Sequence, residues 1–129
     1  MKILIADDDR VLSQLLSSRL RAVGFEVMVA FDAMQSLMVA MRNAPSAIIL
    51  DLNMPGGAGL EVLKKLKSSN KTSSIPVIVL SGSIDPDVGS TTAKDLGAEE
   101  FFAKPPDFEG IHQTLNRLLS KTPSTVGID

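Results

Sequence analysis

Five short apolar runs recur along the chain and are separated by longer amphipathic stretches. The runs are Ile3–Ala6, Val27–Ala30, Ala47–Leu50, Val77–Leu80 and Phe101–Ala103, and turn-forming residues flank them. Runs of this length predict β-strands. The first, third and fourth are continuously apolar rather than alternating, which is typical of strands that are buried on both faces of a parallel sheet.

Between these runs, apolar residues recur at spacings of three and four, which predicts core-facing helical stripes. The four clear stripes are Leu12, Leu15, Leu16, Leu20 and Val23; Met34, Leu37, Met38 and Met41; Leu60, Leu63 and Leu66; and Phe108, Ile111, Leu115, Leu118 and Leu119. The methionine stripe could also form an adaptable groove, but its helical spacing favours core packing. A fourth helix over roughly residues 87–96 offers only Val88, Ala93 and Leu96, so we expect it to be loosely held.

Helix boundaries fall where the strand runs require them. Helix stops are predicted at Gly24, Pro45 and Gly97. N-caps are predicted at Asp9, at Asp32 with Gln35 as a capping box, and at Asp107 behind Pro106. Strand and helix thus alternate five times, which predicts an α/β, doubly wound parallel sheet with right-handed crossovers. In such a sheet, ligands bind outside the carboxyl ends of the strands.

Composition narrows the possible functions. The 129 residues, 44% of them hydrophobic, suit one domain over residues 1–120, and residues 121–129 lose helical periodicity, so we expect a flexible tail or linker stub there. A net charge of −2 without a basic stripe argues against direct nucleic-acid binding. The absence of cysteine excludes thiolate chemistry and fits a reducing cytoplasm. Asp7–Asp9 interrupt the first apolar run too early for a signal peptide or membrane span.

Chemically active residues follow the predicted strands. Asp7, Asp8 and Asp9 come after the first strand, Asp51 after the third, Ser81 after the fourth and Lys104 after the fifth. Two carboxylates about 4 Å apart repel by about 4 kcal/mol at an intermediate dielectric, and Mg²⁺ would offset that repulsion. A carboxylate beside a metal, a lysine and a hydroxyl suits phosphoryl transfer, with Asp51 as the nucleophile.

Four segments carry a family resemblance. Residues 3–9 (ILIADDD), 48–55 (IILDLNMP), 79–82 (VLSG) and 104–105 (KP) resemble response-regulator receiver domains. The resemblance implies a flavodoxin-like sheet of strand order 2-1-3-4-5. It implies that a histidine kinase or phosphotransfer protein phosphorylates Asp51, with Mg²⁺ held by Asp7, Asp8, Asp51 and the backbone carbonyl of Asn53.

The resemblance also assigns the signalling residues. Ser81 would hydrogen-bond the phosphoryl group, Lys104 would pair with another of its oxygens, and Phe101 would turn inward as Ser81 moves. Phe101 lacks a phenolic hydroxyl, so aromatic packing alone would carry that signal. A downstream output domain or target protein would bind the fourth helix, fifth strand and fifth helix. Such a domain is a signalling phosphoacceptor rather than an enzyme, apart from self-catalysed phosphoryl uptake and hydrolysis.

Three alternatives compete with this interpretation. The pattern Asp7-x-Asp9-x-Val11 also resembles the nucleophile loop of haloacid-dehalogenase-type Mg²⁺ phosphatases, which would leave Asp51, Ser81 and Lys104 unexplained. A flavodoxin-like electron carrier conflicts with three carboxylates where the flavin phosphate would bind. A receiver fold that is never phosphorylated conflicts with the intact acid, hydroxyl and lysine set. His112, in the last helix, is expected to be solvated and neither phosphoacceptor nor ligand.

Overall fold

Five parallel strands form one central sheet in the structure, a computed structural model that describes residues 1–54, 59–82 and 92–120. The strands are β1 (Lys2–Ala6), β2 (Glu26–Ala30), β3 (Ala47–Asp51), β4 (Val77–Ser81) and β5 (Glu100–Ala103). Their order in the sheet is β2-β1-β3-β4-β5, and every neighbouring pair is parallel. The predicted α/β architecture and strand order are therefore confirmed.

Helices cover both faces of the sheet. They are α1 (Arg10–Ala22), α2 (Ala33–Asn43), α3 (Gly59–Ser68), the helical residues 92–95, which we label α4, and α5 (Phe108–Leu119). Val88 and the rest of the predicted fourth helix before residue 92 lie outside the described residues, as does the predicted tail over residues 121–129. Among the described helices, none is long and apolar enough to cross a membrane.

The core consists of two layers because side chains alternate across the strands. Ile3 and Ile5 of β1 face α1 and α5, whereas Leu4 and Ala6 face α2 and α3. β3 and β4 are buried along their whole length, and the edge strands β2 and β5 are mostly half-buried. Each fully buried leucine or isoleucine contributes about 1.5–3 kcal/mol, so the central strands anchor the residues that follow them.

The predicted core face of α1 was partly wrong. Its buried residues are Ser13, Leu16, Ser17 and Leu20. Leu15 is 51% exposed and Val23 is 43% exposed. The two serines share the i, i+3, i+4 stripe with the leucines, and their small side chains let the helix lie close to the sheet. Because only apolar residues were counted, the predicted core face included Leu15 and Val23 and left out Ser13 and Ser17.

The same error was larger on α2, where the predicted core methionines Met34, Met38 and Met41 are exposed by 72%, 46% and 40%. The residues that face the sheet are small, namely Ala33, Ser36 and Ala40, with Leu37 half-buried beside them. The Ser36 hydroxyl donates a hydrogen bond to the Asp32 carbonyl oxygen at 2.7 Å, so its burial leaves no unsatisfied group.

Three predicted N-caps are confirmed. The side chains of Asp9, Asp32 and Asp107 accept hydrogen bonds from the backbone N–H groups of Leu12, Gln35 and Glu109, respectively. The capping box differs in one bond, because the Gln35 amide oxygen accepts from the Phe31 N–H at 2.8 Å rather than from that of Asp32. Gly24 and Gly97 have φ of +102° and +105°, the left-handed conformation that ends helices.

His112 is half-buried, so the predicted solvated position is corrected. Its ring stacks on Phe108 at 5.8 Å between centroids and meets the edge of Phe25 at 6.4 Å. Phe108 lies four residues earlier on α5, so helical spacing accounts for that contact, whereas Phe25 belongs to the turn before β2 and the pattern of α5 gave no indication of it.

Candidate functional site

The carboxyl ends of four strands bring the predicted site residues to one edge of the sheet. Main-chain hydrogen bonds continue past the strand ends: Asp7 N–H donates to Ala30 O at 3.0 Å, and Lys104 N–H donates to Ser81 O at 2.9 Å. Asp51 is the last residue of β3 and Ser81 the last residue of β4. The fully buried runs before these residues thus fix where their side chains lie.

Lys104 bridges the two buried carboxylates. Its Nζ lies 3.0 Å from Asp7 Oδ2 and 3.3 Å from Asp7 Oδ1, and it lies 3.4 Å from Asp51 Oδ2. The Lys104 side chain is 20% exposed, whereas those of Asp7 and Asp51 are almost completely buried. One lysine therefore balances part of the negative charge of two carboxylates that are hidden from water.

Asp8 completes an acidic cluster. Carboxylate oxygens of Asp7, Asp8 and Asp51 lie within 4.8 Å of one another, with Asp8 exposed at the rim. Among the described residues, Asp7 Oδ2 has no hydrogen-bond partner, since the Lys104 ammonium is in ion-pair contact but not in hydrogen-bond geometry. Three carboxylates against one lysine, with a buried oxygen left without a hydrogen bond, fit a hard divalent cation such as Mg²⁺.

The electrostatics of the site make Asp51 harder to ionise than a solvent-exposed carboxyl when no metal is bound. Burial, together with the charge of Asp7, raises the pKa of Asp51 from 3.8 to about 6, against the opposing effects of the Asn53 N–H and Lys104. For Lys104, burial alone would lower the pKa, but the hydrogen bond and charge of Asp7, with the charge of Asp51, raise it above its ordinary value.

Asn53 connects the acidic cluster to Ser81. Its backbone N–H donates to Asp51 Oδ1 at 3.1 Å, and its side-chain Nδ2 donates to Ser81 Oγ at 3.4 Å. The Ser81 side chain is 2% exposed. The family resemblance implied a backbone carbonyl role for Asn53 at the metal, so these two donor contacts are additional. Three residues on two strand ends thus form one polar chain.

Phe101 lies away from the carboxylates. It faces Val79 on the neighbouring strand, two positions before the pairing of Ser81 with Ala103. Its ring is half-buried and packs against the core layer that contains Leu4. The β4–β5 pairing is thus the connection between Phe101 and Ser81 that the structure shows.

Asp9, in the β1–α1 connection, and Ser13, in the first turn of α1, both hydrogen-bond to Asp7. Asp9, besides capping α1, donates its backbone N–H to Asp7 Oδ1 at 2.9 Å. The hydroxyl of Ser13 donates to the main-chain carbonyl of Asp7 at 3.1 Å. Sequence reasoning missed Ser13. Its place three residues before Leu16 and seven before Leu20, on the stripe that faces the sheet, was the available signal.

Comparison with known proteins was consistent with this geometry. The profile of the response regulator receiver domain family matches residues 3–116. The DNA-binding dual master transcriptional regulator RpaA of Synechocystis is 33% identical over 123 residues, which cover 94% of this chain and 50% of RpaA. The response regulator MprA of a Mycobacterium species (strain KMS) is 32% identical over 129 residues, all of this chain and 55% of MprA.

A solved structure agrees with these relatives. The chemotaxis response regulator CheY4 of Vibrio cholerae superimposes with a TM-score of 0.83 at 30% sequence identity, covering 92% of this chain and 98% of that one. The chain spans about half the length of the two curated relatives above.

Proposed function

The chain belongs to the response regulator receiver domain family of two-component systems, and we propose that Asp51 is its phosphoacceptor. The observation that carries the proposal is the convergence of Asp7, Asp51 and Lys104 within ion-pair distance at the strand ends. A carboxylate oxygen of Asp51 would attack the phosphorus atom of a donor. The new O–P bond forms as the bond from phosphorus to the donor's leaving group breaks, and that group takes the electron pair.

Mg²⁺ would be held by the carboxylates of Asp7, Asp8 and Asp51 and by the backbone carbonyl of Asn53. When bound, the metal neutralises negative charge on the transferring phosphoryl oxygens. Asp51 must be ionised to attack, and its pKa of about 6 leaves a mixture of forms near neutral pH in the metal-free protein. A cation beside it would favour the ionised form.

Lys104 and Ser81 would stabilise the product. Lys104 now shares its charge between Asp7 and Asp51, so a phosphoryl group on Asp51 would offer it stronger acceptors. The Ser81 hydroxyl now accepts from Asn53 Nδ2, so its own O–H would be available to donate to another phosphoryl oxygen. Neither residue forms a covalent bond.

Recruitment of Ser81 to the phosphoryl group would provide the switch. Movement of Ser81 displaces the end of β4, and Phe101 lies two register positions away on β5 with its ring only half-buried. Inward rotation of Phe101 would then change the surface of α4, β5 and α5. The charge of the phosphoryl group could shift the protein from one arrangement of Ser81 and Phe101 to the other if the two differ in free energy by only a few kcal/mol.

Partners follow from family membership. Residues 1–120 would receive the phosphoryl group from a histidine kinase or phosphotransfer protein in the cytoplasm, and would signal to an output domain or target protein. RpaA is DNA-binding as a whole protein, but we assign no direct nucleic-acid contact to the receiver fold. Its role would be signalling, with self-catalysed phosphoryl uptake and hydrolysis as its only chemistry.

The site assignment is tested by locating the modification. The full chain is incubated with acetyl phosphate and Mg²⁺, the acyl phosphate is reduced with borohydride, and the peptides are sequenced by mass spectrometry. The proposal predicts that the modified residue is Asp51. Modification at Asp7 instead would favour the haloacid-dehalogenase-type mechanism, and absence of modification would favour a receiver-fold scaffold.

A further inference from the structure

We propose that the hydroxyl of Ser13 is a positioning group for the acidic cluster, holding the Asp7 main chain so that the Asp7 carboxylate faces the cation. The inference rests on the proposed function, in which Asp7 is one of the Mg²⁺-holding residues. Ser13 does not reach the cluster itself. Its effect passes through a single hydrogen bond, from Ser13 Oγ to Asp7 O at 3.1 Å.

The hydrogen bond between Ser13 and Asp7 lies just beyond the end of β1, where pairing between strands stops. Asp7 follows the last residue of β1, and its N–H still donates to Ala30 O at 3.0 Å. Its carbonyl oxygen accepts a hydrogen bond from the Ser13 hydroxyl rather than from a backbone N–H of a neighbouring strand. The side chains of both residues are at most 2% exposed, so water cannot readily replace the bond. A buried carbonyl without a partner is costly, which makes this contact a strong local constraint.

The Ser13 hydroxyl donates to a carbonyl outside its own helix. A serine within a helix commonly donates to the carbonyl four residues earlier. Here the carbonyl of Asp9 accepts the backbone N–H of Ser13 at 2.9 Å, while the hydroxyl reaches Asp7, six residues earlier. The bond therefore ties the first turn of α1 to the loop that carries the acidic residues, rather than stabilising the helix alone.

The contacts around Asp7 leave one oxygen available. Ser13 and Ala30 hold its main chain, and Oδ1 accepts from the Asp9 N–H and from Lys104 Nζ. Oδ2 has no hydrogen bond among the described residues and lies in ion-pair contact with Lys104. Without the Ser13 hydroxyl, the Asp7 carbonyl would turn toward another donor and would rotate Oδ2 with it. Cation binding should weaken as a result.

The chain supplies a matched control for this idea. Ser17 lies one turn further along the same buried face of α1, is 5% exposed, and its hydroxyl has no hydrogen-bond partner among the described residues. Ser13→Ala and Ser17→Ala remove the same atom from the same buried face of α1. Only Ser13→Ala removes a contact to the acidic loop.

The experiment titrates the full chain and both variants with MgCl₂ and follows the backbone amide NMR shifts of residues 7–9. We expect Ser13→Ala to raise the Mg²⁺ dissociation constant by about three- to ten-fold, at or below the usual range for groups that orient metal ligands. Ser17→Ala should remain within about two-fold of the parent. Thermal unfolding without Mg²⁺ verifies that each variant is folded.

A second pair keeps the test valid if Ser13→Ala does not fold. Ser13→Thr and Ser13→Val add a comparable methyl group and differ in the hydroxyl, so Ser13→Thr should bind Mg²⁺ more tightly than Ser13→Val. Equal affinities within this pair, or equal losses in Ser13→Ala and Ser17→Ala, would overturn the positioning role while leaving the proposed function in place. A parent chain that does not bind Mg²⁺ would overturn the proposed function itself.

Discussion

Lys104 Nζ lies 3.0 Å from Asp7 Oδ2, closer than the 3.4 Å that separates it from Asp51 Oδ2. In this state the lysine pairs more closely with a residue proposed to hold the metal than with the proposed phosphoacceptor. A cation that binds Asp7 therefore competes with Lys104 for the same charge. Phosphorylation of Asp51 would resolve the competition by giving the lysine new acceptors.

This competition predicts the behaviour of Lys104→Met. Removing the ammonium leaves two buried carboxylates without their counter-charge, so we expect the metal-free protein to lose about 2–3 kcal/mol of unfolding free energy at pH 7.5. Mg²⁺ should restore much of the loss, and the Mg²⁺-induced rise in Tm should exceed that of the parent. Lys65→Met, at an exposed position of α3, is the control. A smaller Mg²⁺-induced rise in Lys104→Met than in the parent would contradict the competition.

The raised pKa of Asp51 predicts a pH dependence of stability in EDTA. Below about pH 4 the carboxyl is protonated in both the folded and unfolded states. Between pH 3.8 and about 6 the unfolded chain ionises while the folded chain stays protonated, so the unfolding free energy falls as pH rises. Asp51→Asn should remove this contribution and stabilise the metal-free protein near pH 7 by about 1–3 kcal/mol.

Chemical denaturation at a series of pH values measures this effect. Asp95→Asn, at an exposed position of α4, is the matched control and should preserve the parent's pH profile. An Asp51→Asn variant less stable than the parent near pH 7 without metal would show instead that the charged Asp51 carboxylate stabilises the fold.

The observed core face of α2 predicts different effects on stability for substitutions at Ala40 and at Met38. Ala40 is 1% exposed and lies in the core layer against β1, so Ala40→Leu should overpack it and cost about 1–3 kcal/mol of unfolding free energy. Met38 is 46% exposed, so Met38→Leu should change stability by no more than about 0.5 kcal/mol. Urea unfolding of both variants distinguishes the faces. A greater loss in Met38→Leu would restore the apolar-stripe prediction.

Gly59, the first residue of α3, closely approaches the backbone of Leu52, the residue after β3. A Cβ atom at this position would lie 2.2 Å from Leu52 Cα, and the Gly59 N–H donates to Leu52 O at 2.9 Å. Gly59→Ala should cost about 2–4 kcal/mol of unfolding free energy and weaken Mg²⁺ binding by displacing Asn53. In Gly82→Ala the new Cβ would lie 3.5 Å from Lys104 Cβ, an ordinary contact, so its stability should stay near that of the parent. Similar losses in both variants would refute a role for the close approach.

The sequence predicted the sheet well because burial dominates its pattern. Continuous apolar runs such as Ile48–Leu50 have one stable placement, in the middle of a parallel sheet between helices. The position of Asp51 directly after such a run then determined where its carboxylate would lie. The same argument placed Ser81 and Lys104, since each follows its own strand.

The errors have a different physical origin. Helix faces were assigned by counting large apolar residues, whereas α1 and α2 pack through small ones such as Ser13, Ser17 and Ala40. Where a helix packs closely on a sheet, the side chains between them must be small as well as able to be buried. The roles of Ser13 and Asn53 also depend on where hydrogen-bond donors point in three dimensions, which spacing along the chain does not encode.

We propose that Asp51 accepts a phosphoryl group with help from a cation at Asp7 and Asp8. The most direct measurement is the intact mass of the parent, Asp51→Asn and Asp7→Asn after incubation with acetyl phosphate, with Mg²⁺ or with EDTA. We predict one phosphoryl adduct in the parent that requires Mg²⁺, none in Asp51→Asn and a strongly reduced amount in Asp7→Asn. An adduct of equal yield in Asp51→Asn, or no adduct in the parent with Mg²⁺, would contradict the account.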